Sequence, residues 1–286
     1  MAELMEKTTP VPAETPVTYL RPSKGWLSID FKELWRYREL IYFLTWRDIK
    51  VRYKQAVLGI AWAVLQPLLT MVIFTVIFGM LLNTPSQDVP YPLFSLTALL
   101  PWQLFASALQ RSSVSLVGNA NLLTKIYFPR LAIPLSSVFA ALVDFLISFV
   151  VLIGVMIYYQ YWPGWNALWL PLLVLLALLT ALAVGLWLSA LNVQYRDIQH
   201  MVPFIIQVWM YASPIVYPVE TIPAGIWRTL YGLNPMTGVI QGFRWALLGG
   251  APPDLTMLIS GAVVLALLTS GLFYFRRMEK TFADIV

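Results

Sequence analysis

Six apolar stretches, at roughly 58–82, 92–117, 131–159, 167–191, 201–219 and 254–275, constrain this chain more than any other feature. A helix needs about 20 consecutive apolar residues to cross the ~30 Å hydrocarbon core of a bilayer. Each run meets or approaches that length, and the fifth is interrupted by Pro203 and Pro214. Charged residues make up 12 % of the chain, against about 25 % in an ordinary globular domain. The expected fold class is therefore an all-α integral membrane protein with six transmembrane helices.

An even number of spans puts both ends on one side, and the distribution of Lys and Arg says which. Ten precede Leu58, Lys125 and Arg130 flank the loop after the second run, Arg196 follows the fourth, and Arg276, Arg277 and Lys280 close the chain. The other side holds Arg228 and Arg244, while Arg111 falls near the inner end of the second run. Both termini are expected in the cytoplasm. The bases cluster beside membrane runs, so the formal net charge of +5 points to lipid headgroups and not to nucleic acid. Residues 1–29, with Pro10, Pro12, Pro16 and Pro22, read as a flexible tail, with no cleaved signal peptide ahead of the first run near Leu58.

Two segments are amphipathic without being spans. In residues 30–57, Trp35, Tyr42, Trp46, Ile49 and Tyr53 share one helical stripe, and Arg36, Arg47, Lys50 and Lys54 share a neighbouring one. Aromatics at the acyl boundary with bases toward phosphate predict an interfacial helix lying in the membrane plane, which could also attract a diphosphate; a soluble helix packed on a partner is the alternative. Within 221–249, "NPMTGVIQGFRWALLGG" carries helix signals: Asn234 as N-cap, Pro235 in the first turn, Gly249 and Gly250 at the end. Its body reaches only about 21 Å at 1.5 Å per residue, too short to span. It predicts two short re-entrant helices between the fifth and sixth spans, or else a loop lying on the surface.

Catalytic and metal chemistry is poorly provided for. The chain has no cysteine and one histidine, His200, read as a solvated or capping residue. It has no GxxxxGK[ST] motif to cradle a nucleotide. Outward-facing acids are limited to Asp88, Glu220 and Asp254, so no acid/base pair suggests an enzyme, and no metal site is expected. Asp144 is the one acid well inside a span. Such a residue is either functional or structural, and the structural reading pairs it with Arg111 or a backbone group.

Residues 119–134, "NANLLTKIYFPRLAIP", form a short basic and aromatic knuckle between two apolar runs. Leu122, Ile126 and Phe128 offer anchors for a partner's groove, Lys125 and Arg130 complement an acidic rim, Asn119 or Asn121 could cap a short helix, and Pro129 ends it. A plain positively charged turn fits the same spacing.

Four segments in order resemble one family: "WRDIKVRYKQAVLGIAWAVLQPLLTMVIFTVIFG" (46–79), "NLLTKIYFPRLAIP" (121–134), "LNVQYRDIQHMVPFIIQVWMYASPIVYP" (191–218) and "NPMTGVIQGFRWALLG" (234–249). The chain resembles the permease subunit of ABC-2-type polysaccharide exporters, the family that exports O-antigen, capsule and teichoic-acid chains, over about residues 30–286. The resemblance implies a homodimer of permeases with a transmembrane domain at 58–286. Two copies of a separate ATPase would drive it and carry ATP and Mg, with no cofactor in this chain. It implies a coupling helix at 119–130, with Leu122, Lys125, Ile126, Tyr127, Phe128, Pro129 and Arg130 in the contact. Tyr195, Arg196 and Asp197 would form a second cytoplasmic contact. The interfacial helix would line the substrate entrance with Trp46, Arg47, Lys50, Arg52, Tyr53 and Lys54, and Trp227, Asn234, Pro235 and Arg244 would belong to an external gate. The implied cargo is a lipid-linked polysaccharide, most simply O-antigen on a polyprenyl diphosphate, moved across the bacterial inner membrane. An ABC-2 permease for a drug or another lipid shares this architecture, and a membrane enzyme acting on a polyprenyl-linked sugar is the rival of a different class.

Overall fold

The computed structural model describes residues 31–54, 59–86, 88–223, 225–250, 252 and 255–282. The tail at 1–29 and the junction at 55–58 lie outside the described residues. Among the described residues the regular elements are all helical: α1 (Phe31–Arg36), α2 (Arg38–Lys54), α3 (Gly59–Phe74), α4 (Tyr91–Gly118), α5 (Ala120–Lys125), α6 (Ala132–Tyr158), α7 (Leu170–Gln194), α8 (Ile198–Tyr211), α9 (Ile226–Gly232), α10 (Pro235–Leu248) and α11 (Leu255–Glu279). A π-helical turn, Thr75–Leu81, prolongs α3, and a 3₁₀ turn, Trp165–Trp169, leads into α7.

Among the described residues, five helical segments are long and apolar enough to cross a membrane: Ala61–Leu81, Tyr91–Gly118, Ala132–Tyr158, Trp165–Gln194 and Thr256–Glu279. They match five of the six expected runs. The fifth run does not form one long helix. Instead α8 starts at Ile198 and stops at Tyr211, about 21 Å on. Pro214 accounts for the stop, because the ring of a proline disfavours helical geometry at the residue before it and cannot donate to the preceding turn.

α4 is the central helix, packed most extensively on α7 and α6 and also on α10, α3 and α8. Its own core side chains include Leu96, Leu99, Phe105 and Leu109, which share one cluster with Phe145 of α6 and Phe243 of α10. A second core closes one end of the bundle, where Leu44, Leu116, Leu123, Phe128, Ile133, Val193, Phe275 and Phe282 meet. The loops holding Lys125, Arg130 and Arg196 and the end of α11 lie at this basic end.

α10 spans only 14 residues, yet most of its side chains are buried. Gly238 and Gly242, four apart on one face, allow this: an added Cβ would lie 2.8 Å from Ser260 of α11 and 2.4 Å from Leu173 of α7. Small residues at this spacing let helix backbones approach closely. The turn between α9 and α10 is inserted deep in the bundle. Asn234 caps α10 and accepts from Trp209 of α8 at 2.8 Å, and Trp209 meets Phe105, midway along α4, edge-on at 5.0 Å. The other end of α10 returns to the end opposite the basic one, where Leu248 accepts from Tyr161, just beyond α6.

Candidate functional site: a basic knuckle, a charged cleft and an outer clamp

The knuckle divides into an exposed tip and an anchored base. Ile126 and Tyr127 are 58 % and 61 % exposed, whereas Phe128 is 5 % exposed. The expectation that Phe128 offers itself to a partner's groove is corrected: its ring is held in the second core, with Leu123, and Leu122 packs partly against the same cluster. Arg130 donates to the backbone carbonyl of Glu279 and its guanidinium lies 5.9 Å from the Phe282 ring, so it ties the loop to α11. Lys125 is exposed and Pro129 half-buried. Asn119 lies between α4 and α5, and its side chain does not cap α5 but turns back to the last turn of α4. It donates to Ser115 O at 2.8 Å and accepts from Arg47 of α2 at 2.8 Å. The expected Asn cap is thus spent holding α2. Tyr195, Arg196 and Asp197 form an exposed turn between α7 and α8, next to the exposed His200.

α2 departs from the expected planar helix. Leu44 is buried, while Tyr42, Phe43 and Trp46 stay outward, as does Trp35 of α1. Thr45 donates to Ser136 O of α6 at 3.4 Å, and Tyr53 donates to Asp144 of the same helix. The two contacts advance equally along both helices, so α2 climbs beside α6 in the same sense and does not cross it at its end. Tyr53, assigned by spacing to the lipid-facing stripe, therefore points inward. Arg47 pairs with Asp48 at 2.8 Å, and Lys50 and Lys54 are exposed.

The reason for the climb is Asp144. A carboxylate inside a span needs partners, and this one takes three: Arg111 of α4, and Arg52 and Tyr53 of α2. Arg52 donates at 2.6 Å. Burial first, and then the bond to Asp144, hold the Tyr53 phenol above its ordinary pKa, so it remains a neutral donor. The pairing with Arg111 agrees with the structural reading of Asp144. The partners on α2 were missed, although the last turn of α2 concentrates bases and an aromatic hydroxyl just ahead of the first span. Beside this cluster a cleft of about 380 Å³ opens between α3, α4 and α6, with Gln66, Gln103, Ser107 and Gln110 among its walls.

At the opposite end, Arg244 is 6 % exposed. It donates to Ile215 O at 2.8 Å and Tyr217 O at 3.2 Å, and lies 3.6 Å over the Phe94 ring. Expected from sequence as an outer-side charge in the gate, it is buried, and it holds the chain after α8 against α4 and α10. Asn234 and Pro235 are likewise packed at the base of α10, whereas Trp227 on α9 is exposed.

A bundle of long apolar helices around a largely buried α4, with most of its basic residues toward one end, defines a multi-pass membrane protein. Residues 39–248 match the family model described as ABC-2 type transporter, and the chain belongs to that family. It is 33 % identical over 253 residues to the O-antigen export system permease protein RfbA of Myxococcus xanthus, covering 87 % of this chain and 96 % of the relative. A protein of the same name from Klebsiella pneumoniae is 32 % identical over 250 residues, with 87 % and 95 % covered. The polysialic acid transport protein KpsM of Escherichia coli is 28 % identical over 209 residues, with 71 % and 79 % covered.

Proposed function

We propose that this chain is the membrane-spanning permease of an ATP-driven exporter that moves a lipid-linked polysaccharide, of the O-antigen type, across the bacterial inner membrane. The observation that carries this reading is the match along nearly the whole chain to permeases named for O-antigen export. The permease works as a homodimer with two copies of a separate ATPase, which binds ATP and Mg. Its basic end faces the cytoplasm, in keeping with the gathering of Lys and Arg there.

In this topology α11 makes the sixth crossing, and α8 and the non-helical stretch 212–218 together make the fifth. Support comes from the contacts at its two ends. The backbone N–H of Gln199 donates to Asn192 at the basic end, while Val216 accepts from Tyr91, the first residue of α4, at 2.8 Å at the other. α9 and α10 form a re-entrant pair from the outer side, with Trp227 at its exposed edge.

The chain's own residues transmit the motion. Ile126 and Tyr127 seat in the ATPase, with Lys125 beside them and the turn at Tyr195, Arg196 and Asp197 as a second contact. Phe128 and Leu123 are embedded in the second core, and Arg130 is tied to α11, so a displacement of the tip is passed to α4, α6 and α11 and is not absorbed by a loose loop. Loss of surface polymer in a strain lacking this chain, restored by the wild-type protein, tests the reading. A strain that exports normally without it, or a native-membrane pull-down that recovers no ATPase, would overturn it.

A further inference from the structure

The cleft between α3, α4 and α6 has an imbalance of charge. Arg52 and Arg111 line it with two guanidiniums, and Asp144 is the sole carboxylate among its lining residues. Asp144 accepts from both arginines and from Tyr53, which nearly fills the acceptor sites of one carboxylate. One positive charge is left over. An uncompensated cation at membrane depth is expensive, and such groups face cavities where an anion or water can reach them.

Beside apolar walls such as Leu100, Leu104 and Phe145, the lining also carries polar side chains that packing alone does not require. Gln103, Ser107, Gln110 and Arg111 follow one another on a single face of α4, and Gln66 of α3 opposes them. Ser107 accepts from Arg111 Nε at 3.2 Å, but the side-chain amides of Gln66, Gln103 and Gln110 have no hydrogen-bond partner among the described residues. Gln103 is half-buried and Gln66 and Gln110 are open to the cleft, so the three amides offer donors and acceptors together, the pattern that suits hydroxyls. Arg52 is the arginine best placed to move, since its side chain is 43 % exposed, against 22 % for Arg111.

We propose that this cleft binds a phosphate-bearing lipid headgroup. Arg52 exchanges Asp144 for a phosphate oxygen, Arg111 stays paired with Asp144 as the fixed wall, and Gln66, Gln103 and Gln110 take the hydroxyls beside the phosphate. A guanidinium suits the exchange because its planar fork meets carboxylate and phosphate with the same geometry. Basic pockets between transmembrane helices on the cytoplasmic side are a general way of holding such headgroups. Because Arg52 also ties α2 to α6, headgroup arrival loosens the end of α2. Only the identity of the lipid rests on the exporter reading; the phosphate chemistry rests on the cleft.

The test uses the full chain in nanodiscs of phosphatidylcholine and measures binding of polyprenyl diphosphate, the matching polyprenol, phosphatidylglycerol and inorganic pyrophosphate. The expected result is diphosphate lipid bound at least about ten-fold more tightly than the polyprenol, with that preference largely lost in Arg52→Gln and weakened several-fold in Gln103→Leu. Arg36→Gln, an exposed cation away from the cleft, controls for general charge attraction and should bind as wild type. Gln103→Leu adds no charge and keeps the helix, so it remains informative even if Arg52→Gln fails to fold. Equal binding of polyprenol and diphosphate, or wild-type binding by both cleft variants, would overturn the proposal. Phosphatidylglycerol binding as tightly as the diphosphate lipid would assign the cleft to bulk phospholipid, and pyrophosphate alone doing so would assign it to free phosphate. A wild-type chain that restores export while the cleft variants bind and export normally sinks the cleft and leaves the exporter standing. Cleft-dependent binding without any export does the reverse.

Discussion

Asp144 of α6 and Arg52 of α2 are 92 residues apart in the chain and 2.6 Å apart in space. With Arg111 and Tyr53 on the same carboxylate, one side chain fastens three helices together. Replacing it with alanine leaves two guanidiniums without their shared counter-charge. Breaking a buried ion pair costs about 3–5 kcal/mol, and the exposure of Arg52 puts this case near or below the lower end. Asp144→Ala should clearly lower the melting temperature of the detergent-purified chain, and Thr70→Ala, away from the cluster on α3, should not. Superimposable melting curves for Asp144→Ala and wild type would remove Asp144 from the fold's support.

At the knuckle, exposure separates binding from folding. The double variant Ile126→Ala, Tyr127→Ala should keep wild-type yield and melting behaviour yet lose co-purification of the ATPase. Phe128→Ala removes a buried ring, a change that costs about 3–5 kcal/mol, and should instead reduce the amount of folded protein. Full ATPase recovery with the tip variant would move the contact elsewhere.

Asn234 serves four partners: it accepts from Met236 N and Trp209 Nε1 and donates to Ala212 O and Ser213 Oγ. Asn234→Ala loses a helix cap worth about 1 kcal/mol and strands the Trp209 donor for about 1–3 kcal/mol more. A double-mutant cycle with Trp209→Phe should therefore be non-additive, the pair costing less than the sum of the singles. Strict additivity would mean that the two side chains do not depend on each other.

For Arg244, shape matters as much as charge. It reaches two carbonyls and stacks on Phe94, which a lysine's compact ammonium cannot reproduce. Arg244→Lys and Arg244→Met should both make residues 215–223 more susceptible to protease added from the outer side. Protection equal to wild type in the lysine variant would show that charge alone suffices.

The absence of native cysteine permits a direct topology test. Single cysteines at Ser86 and Trp227 should react with an impermeant thiol reagent on intact cells stripped of the outer barrier, while those at Thr124 and Tyr195 should react only after the membrane is opened. Labelling of Thr124→Cys from outside would invert the orientation.

Much of this was legible in advance because it is local. Helix signals around "NPMTGVIQGFRWALLGG" marked α10 almost to the residue: Asn234 does cap it, Pro235 does open it, and Gly249 follows its end with φ of 75°. The knuckle was also found, but not its division, since the sequence presents Tyr127 and Phe128 as equivalent neighbours. Only the convergence of Phe275, Phe282 and Leu44 on one side decides that Phe128 is core and Tyr127 surface.

The sequence by itself determined that the chain lives in a membrane, because bilayer thickness acts on each run separately and a run of apolar residues needs no knowledge of its neighbours to satisfy it. It also determined which end is basic, by simple position of Lys and Arg. Tertiary structure alone decided that Arg244 is a clamp, that Tyr53 turns inward, and that α2 climbs along α6. Each of these follows from a charged or polar group finding its partner on a segment distant in the chain, and in a low-dielectric interior it is the partner, not the residue's own place in the chain, that sets where the side chain can go.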